Sequence, residues 1–155
     1  MIRIRFRHLS AVLCALAVLL IVAGDAAAQQ GRYRKRYNKK QVDNIIRQLE
    51  SSSDDFRRDF DRTLDQSQRD GTRREDTFNE RVKRFEDAVD TLRGDFDRRD
   101  DWWESRNNVQ QMLEAARPVS VMMNNRRFRG NLVAQWRKLR KNVNDLARTY
   151  DLRPV

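Results

Sequence analysis

Residues that interrupt helices are scarce over most of this chain. Its two prolines are Pro118 and Pro154, and glycine occurs five times in 155 residues. Because proline and glycine are the residues that most often end a helix or mark a turn, their scarcity allows long helices. The chain is therefore expected to belong to the all-α class.

Apolar residues recur at three- and four-residue steps in four successive segments, which is the spacing of one face of a helix. These apolar seams predict helices over about 41–70, 73–100, 102–124 and 131–150. In the first two segments the seam residues are Val42, Ile46, Leu49, Phe56, Phe60, Leu64, Phe78, Val82, Phe85, Val89, Leu92 and Phe96. In the last two they are Trp103, Val109, Leu113, Ala116, Val119, Met123, Leu132, Trp136, Leu139, Val143, Leu146 and Tyr150.

Capping residues mark the ends of the first two helices. Asn38 with Gln41 can cap the start of the first helix, and Asp70-Gly71 is expected to end it. The sequence TRRE at 72–75 then forms a capping box for the second helix. Two long amphipathic helices joined by so short a junction predict an antiparallel hairpin.

The junction between the second and third segments allows two interpretations. Asp101 with Glu104 could cap a new helix, or the second helix could continue through them. Pro118 is expected to kink or split the third segment. In either case the apolar seams must be buried against one another, so residues 41–152 are predicted to form an antiparallel helical bundle of three to four helices. Polar residues such as Ser53 dilute the seams, which makes self-association a further expectation.

A cleaved secretory signal peptide is predicted over residues 1–28. Arginines precede an apolar run from Ala11 to Gly24, and small residues follow as far as Ala28, where cleavage is expected. The alternative is an uncleaved membrane anchor, but the apolar run is shorter than the roughly 20 residues that a spanning helix needs. The protein is therefore expected to be exported to the bacterial periplasm or the extracellular space, with no transmembrane segment after cleavage.

Several kinds of catalysis are disfavoured by the residues that remain after cleavage. His8 and Cys14, the single members of their types, both lie in the predicted signal peptide. Without them no thiol nucleophile, histidine triad or histidine-cysteine metal site can form. Most acids stand beside arginines, which lowers a carboxylate pKa and disfavours a glycosidase-like acid. Asp97, Asp101 and Glu104 could form a weak divalent-cation site, but a solvated acidic face is preferred. No enzyme activity, cofactor or metal is predicted.

Charge is distributed unevenly along the chain, whose formal net charge is +10. Residues 29–40 contain six cations and no acid, and they are predicted to form a basic disordered arm. Acids outnumber cations in 42–105, whereas 106–155 contain eleven cations and three acids. The cations that could bind a polyanion are Arg32, Arg34, Lys35, Arg36, Lys39, Lys40, Arg126, Arg127, Arg129, Arg137, Lys141 and Arg148.

These cations have a second interpretation. Those of the last helix could instead pair with acids of the first two helices, and the arm could be a solvated leader. Trp102 stands beside the seam residue Trp103 and is expected to point away from the core, where it could contact a ligand.

Two functions are compatible with these features. The first is an exported, non-catalytic bundle that acts in the cell envelope by protein-protein interaction, with an unknown protein partner or with itself. It predicts an exposed apolar stripe or a stable oligomer. The alternative is polyanion binding through the basic arm and the last helix, with lipopolysaccharide, another anionic envelope polymer or nucleic acid as the ligand.

Three segments carry a resemblance to a known group of proteins. They read IIRQLESSSDDFRRDFDRTLD, DGTRREDTFNERV and WRKLRKNVNDLARTYDL. Together they resemble an uncharacterised family of small exported bacterial helical proteins, over about residues 42–152. The resemblance implies the helical bundle and the export, and it implies no activity.

Overall fold

The computed structural model describes residues 36–66, 73–124, 128 and 130–155. Four α-helices follow one another in chain order: α1 (Lys39–Asp65), α2 (Arg73–Arg98), α3 (Arg106–Asn124) and α4 (Asn131–Thr149). One short 3-10 helix, Trp102–Ser105, lies between α2 and α3. The described residues contain no β-strand, so the predicted all-α class is confirmed.

The four helices pack into a bundle. Helix α1 packs mainly against α2 and α4, and α3 packs mainly against the same two helices. Every predicted seam residue is buried, none of them being more than 8% exposed. Ser53 is buried with them, and its hydroxyl donates a hydrogen bond to the carbonyl of Glu50 at 2.8 Å. The helical bundle is therefore confirmed, and its core is made by the amphipathic faces that the sequence marks.

The start of α1 has the predicted capping box. The Asn38 side chain accepts a hydrogen bond from the Gln41 backbone N–H at 2.9 Å, and the Gln41 side chain accepts one from the Asn38 N–H at 2.9 Å. These two bonds satisfy donors that a helix start leaves unpaired. Helix α1 ends at Asp65, and the predicted cap at Asp70-Gly71 lies outside the described residues, as does Thr72.

The chain breaks between α2 and α3 instead of continuing as one helix. After α2 ends at Arg98, the Asp101 carboxylate accepts a hydrogen bond from the Trp103 backbone N–H at 3.0 Å and caps the 3-10 helix. Pro118 lies on the exposed side of α3 and does not split it.

The prediction that Trp102 is available to a ligand is wrong. Its side chain is 5% exposed, and its ring lies 5.0 Å from that of Tyr150 and 5.3 Å from that of Trp103. Its backbone carbonyl also accepts a hydrogen bond from the Tyr150 hydroxyl at 2.7 Å. The prediction assumed α-helical spacing, whereas the tighter 3-10 turn allows both tryptophans to reach the core.

Helix α4 ends in a Schellman motif. The Leu152 N–H donates to the carbonyl of Ala147 at 2.8 Å, and the Asp151 N–H donates to that of Arg148 at 3.2 Å. The backbone φ of Asp151 is 53°. This value lies in the left-handed region, where glycine is the usual residue.

Asp151→Gly is therefore expected to raise the free energy of unfolding by about 0.5–1 kcal/mol, because glycine occupies this region without a steric penalty. Thermal unfolding followed by circular dichroism measures the change. Asp151→Ala is the control and should destabilise, since alanine has neither glycine's freedom nor a polar side chain. A Gly variant no more stable than the Ala variant would contradict the prediction.

The last residues of the chain cover one flank of α4. The Asn144 side chain accepts a hydrogen bond from the Val155 N–H at 2.8 Å and donates one to the Val155 carbonyl at 3.1 Å. From α3, the Arg117 guanidinium donates to the carbonyl of Arg153 at 3.3 Å. The chain end thus occupies the side of α4 near α3, which leaves the outer face and the side toward α1 for other contacts.

The helices of the bundle differ from membrane-spanning segments. Among the described residues, no helix combines the length and the apolar character that crossing a bilayer requires.

Candidate polyanion-binding surface

The outer face of α4 is lined with cations. Because the apolar side of this helix packs into the core, Arg137, Lys141 and Arg148 are left exposed. Their spacing of four and seven residues places them along one line of the helix. The side chains of Lys141 and Arg148 are 73% and 61% exposed. We call this line the α4 cationic line.

Asp145 forms ion pairs with two members of the α4 cationic line. The Lys141 ammonium lies 2.7 Å from one Asp145 carboxylate oxygen, and the Arg148 guanidinium lies 3.0 Å from the other. Both contacts are within α4 and open to water, where an ion pair contributes about 0–1 kcal/mol. The line therefore keeps a net positive charge that is weakly neutralised by its own helix.

The other cations of α4 differ from Lys141 and Arg148 in their contacts. Arg137, Lys138 and Arg140 make no ion pair with any residue in the described part of the chain. The interpretation in which these side chains pair with acids of α1 and α2 is therefore not observed. The polar link from α4 to α1 is made instead by Gln135, whose amide donates to Asp59 at 2.6 Å.

Many acids of α1 and α2 pair with arginines or lysines of the same two helices. Arg57 lies 2.8 Å from Asp61 and 3.8 Å from Glu86, and other pairs join residues three or four apart on one helix. Such i, i+3 and i, i+4 pairs are typical of a solvated helix face. These pairs engage many of the acids of α1 and α2, while Asp59 also contacts α4 through its hydrogen bond with Gln135.

A furrow runs along the seam between α1 and α4. It consists of three neighbouring hollows. The first is lined by Asp59, Arg62, Thr63, Asn131 and Leu132. The second is lined by Ser52, Asp55, Phe56, Gln135, Lys138 and Leu139. The third is lined by Arg47, Gln48, Ser51, Ser52, Lys138 and Asn142. Short serine side chains on α1 leave space opposite Lys138, so the furrow is open where the two helices face each other.

The predicted arm and loop cations are only partly described. Arg32, Arg34, Lys35, Arg126, Arg127 and Arg129 lie outside the described residues. Arg36 and Lys40 are exposed. Lys39 is engaged in the fold, because its ammonium donates to the carbonyl of Arg99 and lies 5.5 Å from the centre of the Phe96 ring.

A buried arginine holds the acids at one end of the bundle. Arg93 of α2 is 8% exposed, lies 2.8 Å from Asp43 of α1 and also pairs with Asp97. Burial of Asp43 raises its pKa, but the hydrogen bonds from Arg93 and Arg47 outweigh this and leave the pKa below its ordinary value. Asp97, one of the three acids considered for a cation site, is thus ion-paired with Arg93.

Two acids have raised pKa values, contrary to the expectation that arginines lower the pKa of nearly every carboxyl group. Burial is the largest cause for both Glu86 and Asp90, and the negative charges of Asp54 and Asp87 add to it. Neither acid lines the furrow. In the regions that the structure describes, no group of three or more acidic, histidine or cysteine side chains could hold a metal ion.

Comparison with known proteins adds no relative. No protein-family model matches the chain, and no curated protein and no solved structure is detectably similar to it.

The site was partly visible in the sequence, because periodicity places Arg137, Lys141 and Arg148 on one face. The furrow was missed, and the adjacent serines Ser51 and Ser52 were its one signal, since short polar side chains leave space between helices.

Proposed function

We propose that this protein is an exported, non-catalytic helical bundle that binds anionic polymers through the α4 cationic line. The observation that carries the proposal is the lack of cross-helix neutralisation. Arg137, Lys138 and Arg140 have no acidic partner among the described residues, and Lys141 and Arg148 share a single carboxylate. A row of exposed cations that keeps a net positive charge attracts a polymer whose charges are regularly spaced.

The bundle in this proposal is antiparallel. Two cross-helix pairs support it, because Asp43 near the start of α1 contacts Arg93 near the end of α2, while Arg57 contacts Glu86. Residue numbers that rise along α1 therefore fall along α2. Successive helices in this arrangement present separate faces to solvent, so that a cationic face on α4 can lie apart from the acidic α1 and α2 surface.

Export is the other part of the proposal. The arginine-rich start, the apolar run and the small residues before Gln29 support a signal peptide that is cleaved after Ala28. The basic arm, which the start of α1 at Lys39 shortens to residues 29–38, would then precede the bundle in the periplasm or outside the cell. Its four cations would add to the polymer-binding charge, and so would Lys40, which is exposed on α1.

Binding measured over a salt series tests the proposal. The probes are heparin and duplex DNA, and the protein is the chain from Gln29 to Val155. Release of counterions gives a slope of log K against log salt of about −0.9 for each DNA phosphate contacted. The triple variant Arg137→Gln, Lys141→Gln, Arg148→Gln should bind both probes at least about tenfold more weakly, a loss of about 1.4 kcal/mol, and should show a shallower slope.

The matched control removes three exposed cations elsewhere, through Arg58→Gln, Lys83→Gln and Arg84→Gln. These residues lie on α1 and α2, and each pairs with an acid of its own helix. The control should retain most of the affinity. An equal loss in both variants would mean that total charge alone decides binding, and an unchanged affinity in the α4 variant would remove the α4 cationic line from the proposal.

Protein-protein interaction in the envelope is the second candidate. The described residues show no exposed apolar stripe, and their one large exposed apolar side chain is Val121 on α3, which is 61% exposed. The candidate is therefore limited to a small contact around Val121 or to self-association. Light scattering over a concentration series tests this candidate. It expects an oligomer that Val121→Lys dissociates, and a monomer at every concentration with no bound protein would count against it.

A further inference from the structure

The third hollow of the furrow has an unusual lining. Its side chains supply two cations, two hydroxyls and two amides, and no carboxylate. They belong to Arg47, Gln48, Ser51, Ser52, Lys138 and Asn142. Elsewhere on α1 and α2 cations and acids alternate along the surface, whereas the nearest acids here lie outside the lining, Asp43 bound to Arg47 and Asp55 in the adjoining hollow.

Five of these six side chains are uncommitted. Within the described chain, Gln48, Ser51, Ser52, Lys138 and Asn142 make no hydrogen bond or ion pair through their side chains. Arg47 donates from its Nε atom to Asp43 at 2.9 Å, and its side chain is 67% exposed. A guanidinium carries five N–H donors, so Arg47 can hold Asp43 and a second anion together. The hollow therefore presents donors and acceptors that a ligand could satisfy.

The shape of the furrow restricts which polymer can enter it. The axes of packed helices lie about 8–10 Å apart. The third hollow of the furrow is the space that the short side chains of Ser51 and Ser52 leave between α1 and α4. A single polymer strand fits such a space. A nucleic-acid duplex, whose major groove is wide enough to admit a whole α-helix, is too thick to enter a space between two packed helices and can reach only their outer face.

The chemistry favours a sugar over a nucleobase. Amides and hydroxyls match the hydroxyl groups of a sugar, and Lys138 and Arg47 match its carboxylate, sulfate or phosphate. Single-stranded nucleic acids are usually held by bases stacking on exposed aromatic rings. The hollow has no aromatic lining residue, and the three tryptophans are buried.

We propose that this hollow, which we call the Lys138 subsite, binds one acidic sugar unit of an anionic polysaccharide. The inference rests on the proposed function and names its ligand class and its site. Lys138 and Arg47 hold the anionic group, while Gln48 and Asn142 bind the sugar hydroxyls. Since Lys141 is one turn from Lys138 along α4, the polymer continues from the subsite onto the α4 cationic line.

The experiment uses the chain from Gln29 to Val155 and three probes: a heparin hexasaccharide, an uncharged dextran of similar length and a duplex DNA. Ser52→Phe blocks the furrow without changing the charge, and Lys138→Met removes the cation while keeping the length of the side chain. Ser52→Phe should weaken hexasaccharide binding about tenfold, and Lys138→Met about fivefold. DNA binding should change less than about twofold with Ser52→Phe, because the duplex contacts the outer face. Dextran should not bind.

Lys83→Met is the matched control, since it removes one exposed lysine on α2 and should leave hexasaccharide binding within about twofold. If circular dichroism shows that Ser52→Phe does not fold, the comparison of Lys138→Met with Lys83→Met decides whether the Lys138 subsite binds the hexasaccharide. Hexasaccharide affinity that is unchanged by the folded subsite variants overturns the subsite while leaving the α4 cationic line intact. A wild-type protein that binds neither heparin nor DNA overturns the proposed function as well.

Discussion

Trp136→Ala is expected to lower the free energy of unfolding by about 3–5 kcal/mol, the usual cost of removing a large buried aromatic side chain. Trp136 of α4 is 3% exposed. Its ring lies 5.4 Å from that of Phe56 on α1 and 5.6 Å from that of Phe85 on α2. Truncation therefore removes contacts among three helices at once and leaves a cavity where they meet. Because small domains are stable by about 5–15 kcal/mol, this change alone could unfold much of the population.

Trp136→Phe separates the stabilisation by aromatic packing from the cost of burying the indole N–H of Trp136. The buried indole N–H of Trp136 has no hydrogen-bond partner among the described residues. Phenylalanine keeps most of the apolar contact and removes a donor whose burial is itself unfavourable, so its cost should be about 1–2 kcal/mol. Urea unfolding followed by circular dichroism measures both variants. Equal destabilisation by Ala and Phe would mean that the aromatic contacts are not what Trp136 contributes.

Arg93→Ala is expected to lower the free energy of unfolding by about 2–3 kcal/mol, because it breaks a buried ion pair. Removing one member of a buried ion pair leaves the other charge without compensation and typically costs about 3–5 kcal/mol. A smaller value is expected here because the Asp97 side chain is 58% exposed, so that water can replace part of its contact. Arg93 also lies 5.5 Å from the centre of the Phe96 ring. Its removal therefore loses packing as well as charge.

The pH dependence of stability identifies the electrostatic part of this effect. The pKa of Asp43 is lowered in the folded state. The stabilisation by ionised Asp43 is therefore fully present above the pKa of Asp43 in the unfolded chain, about 3.9. It is lost as the pH falls through the lower pKa of Asp43 in the folded protein. Arg93→Ala should flatten this acid dependence. Arg84→Ala removes an exposed arginine paired with Glu80 and should cost less than about 1 kcal/mol with no change in pH profile. Identical acid profiles for wild type and Arg93→Ala would contradict the assignment.

The sequence predicted the architecture well because helix formation leaves a local pattern. Seam residues such as Phe56 and Leu139 recur at helical spacing, and all of the predicted seam positions are buried. The capping box at Asn38 was readable for the same reason, since its two hydrogen bonds join residues three apart. Spacing also placed the cations of the α4 cationic line on one face before any packing was known.

Periodicity could not determine the features that depend on contacts between distant residues. Trp102 is buried because the chain leaves α-helical geometry after Arg98 and returns against Tyr150, which is 48 positions further on. The raised pKa of Glu86 depends on burial between two helices, whereas the sequence showed only that acids and arginines alternate. Each of these properties is set by neighbours that sequence spacing does not reveal.

The sequence by itself determined the helical class, the buried faces and the positive charge of α4. These follow from side-chain spacing and composition, which act over one or two helical turns. Only the tertiary structure decided which charges are neutralised and where space remains. Lys138 has no acidic partner among the residues that the structure describes, and it borders the furrow because α4 packs beside the serines of α1. That juxtaposition joins residues about ninety positions apart, and such contacts arise only when the helices assemble.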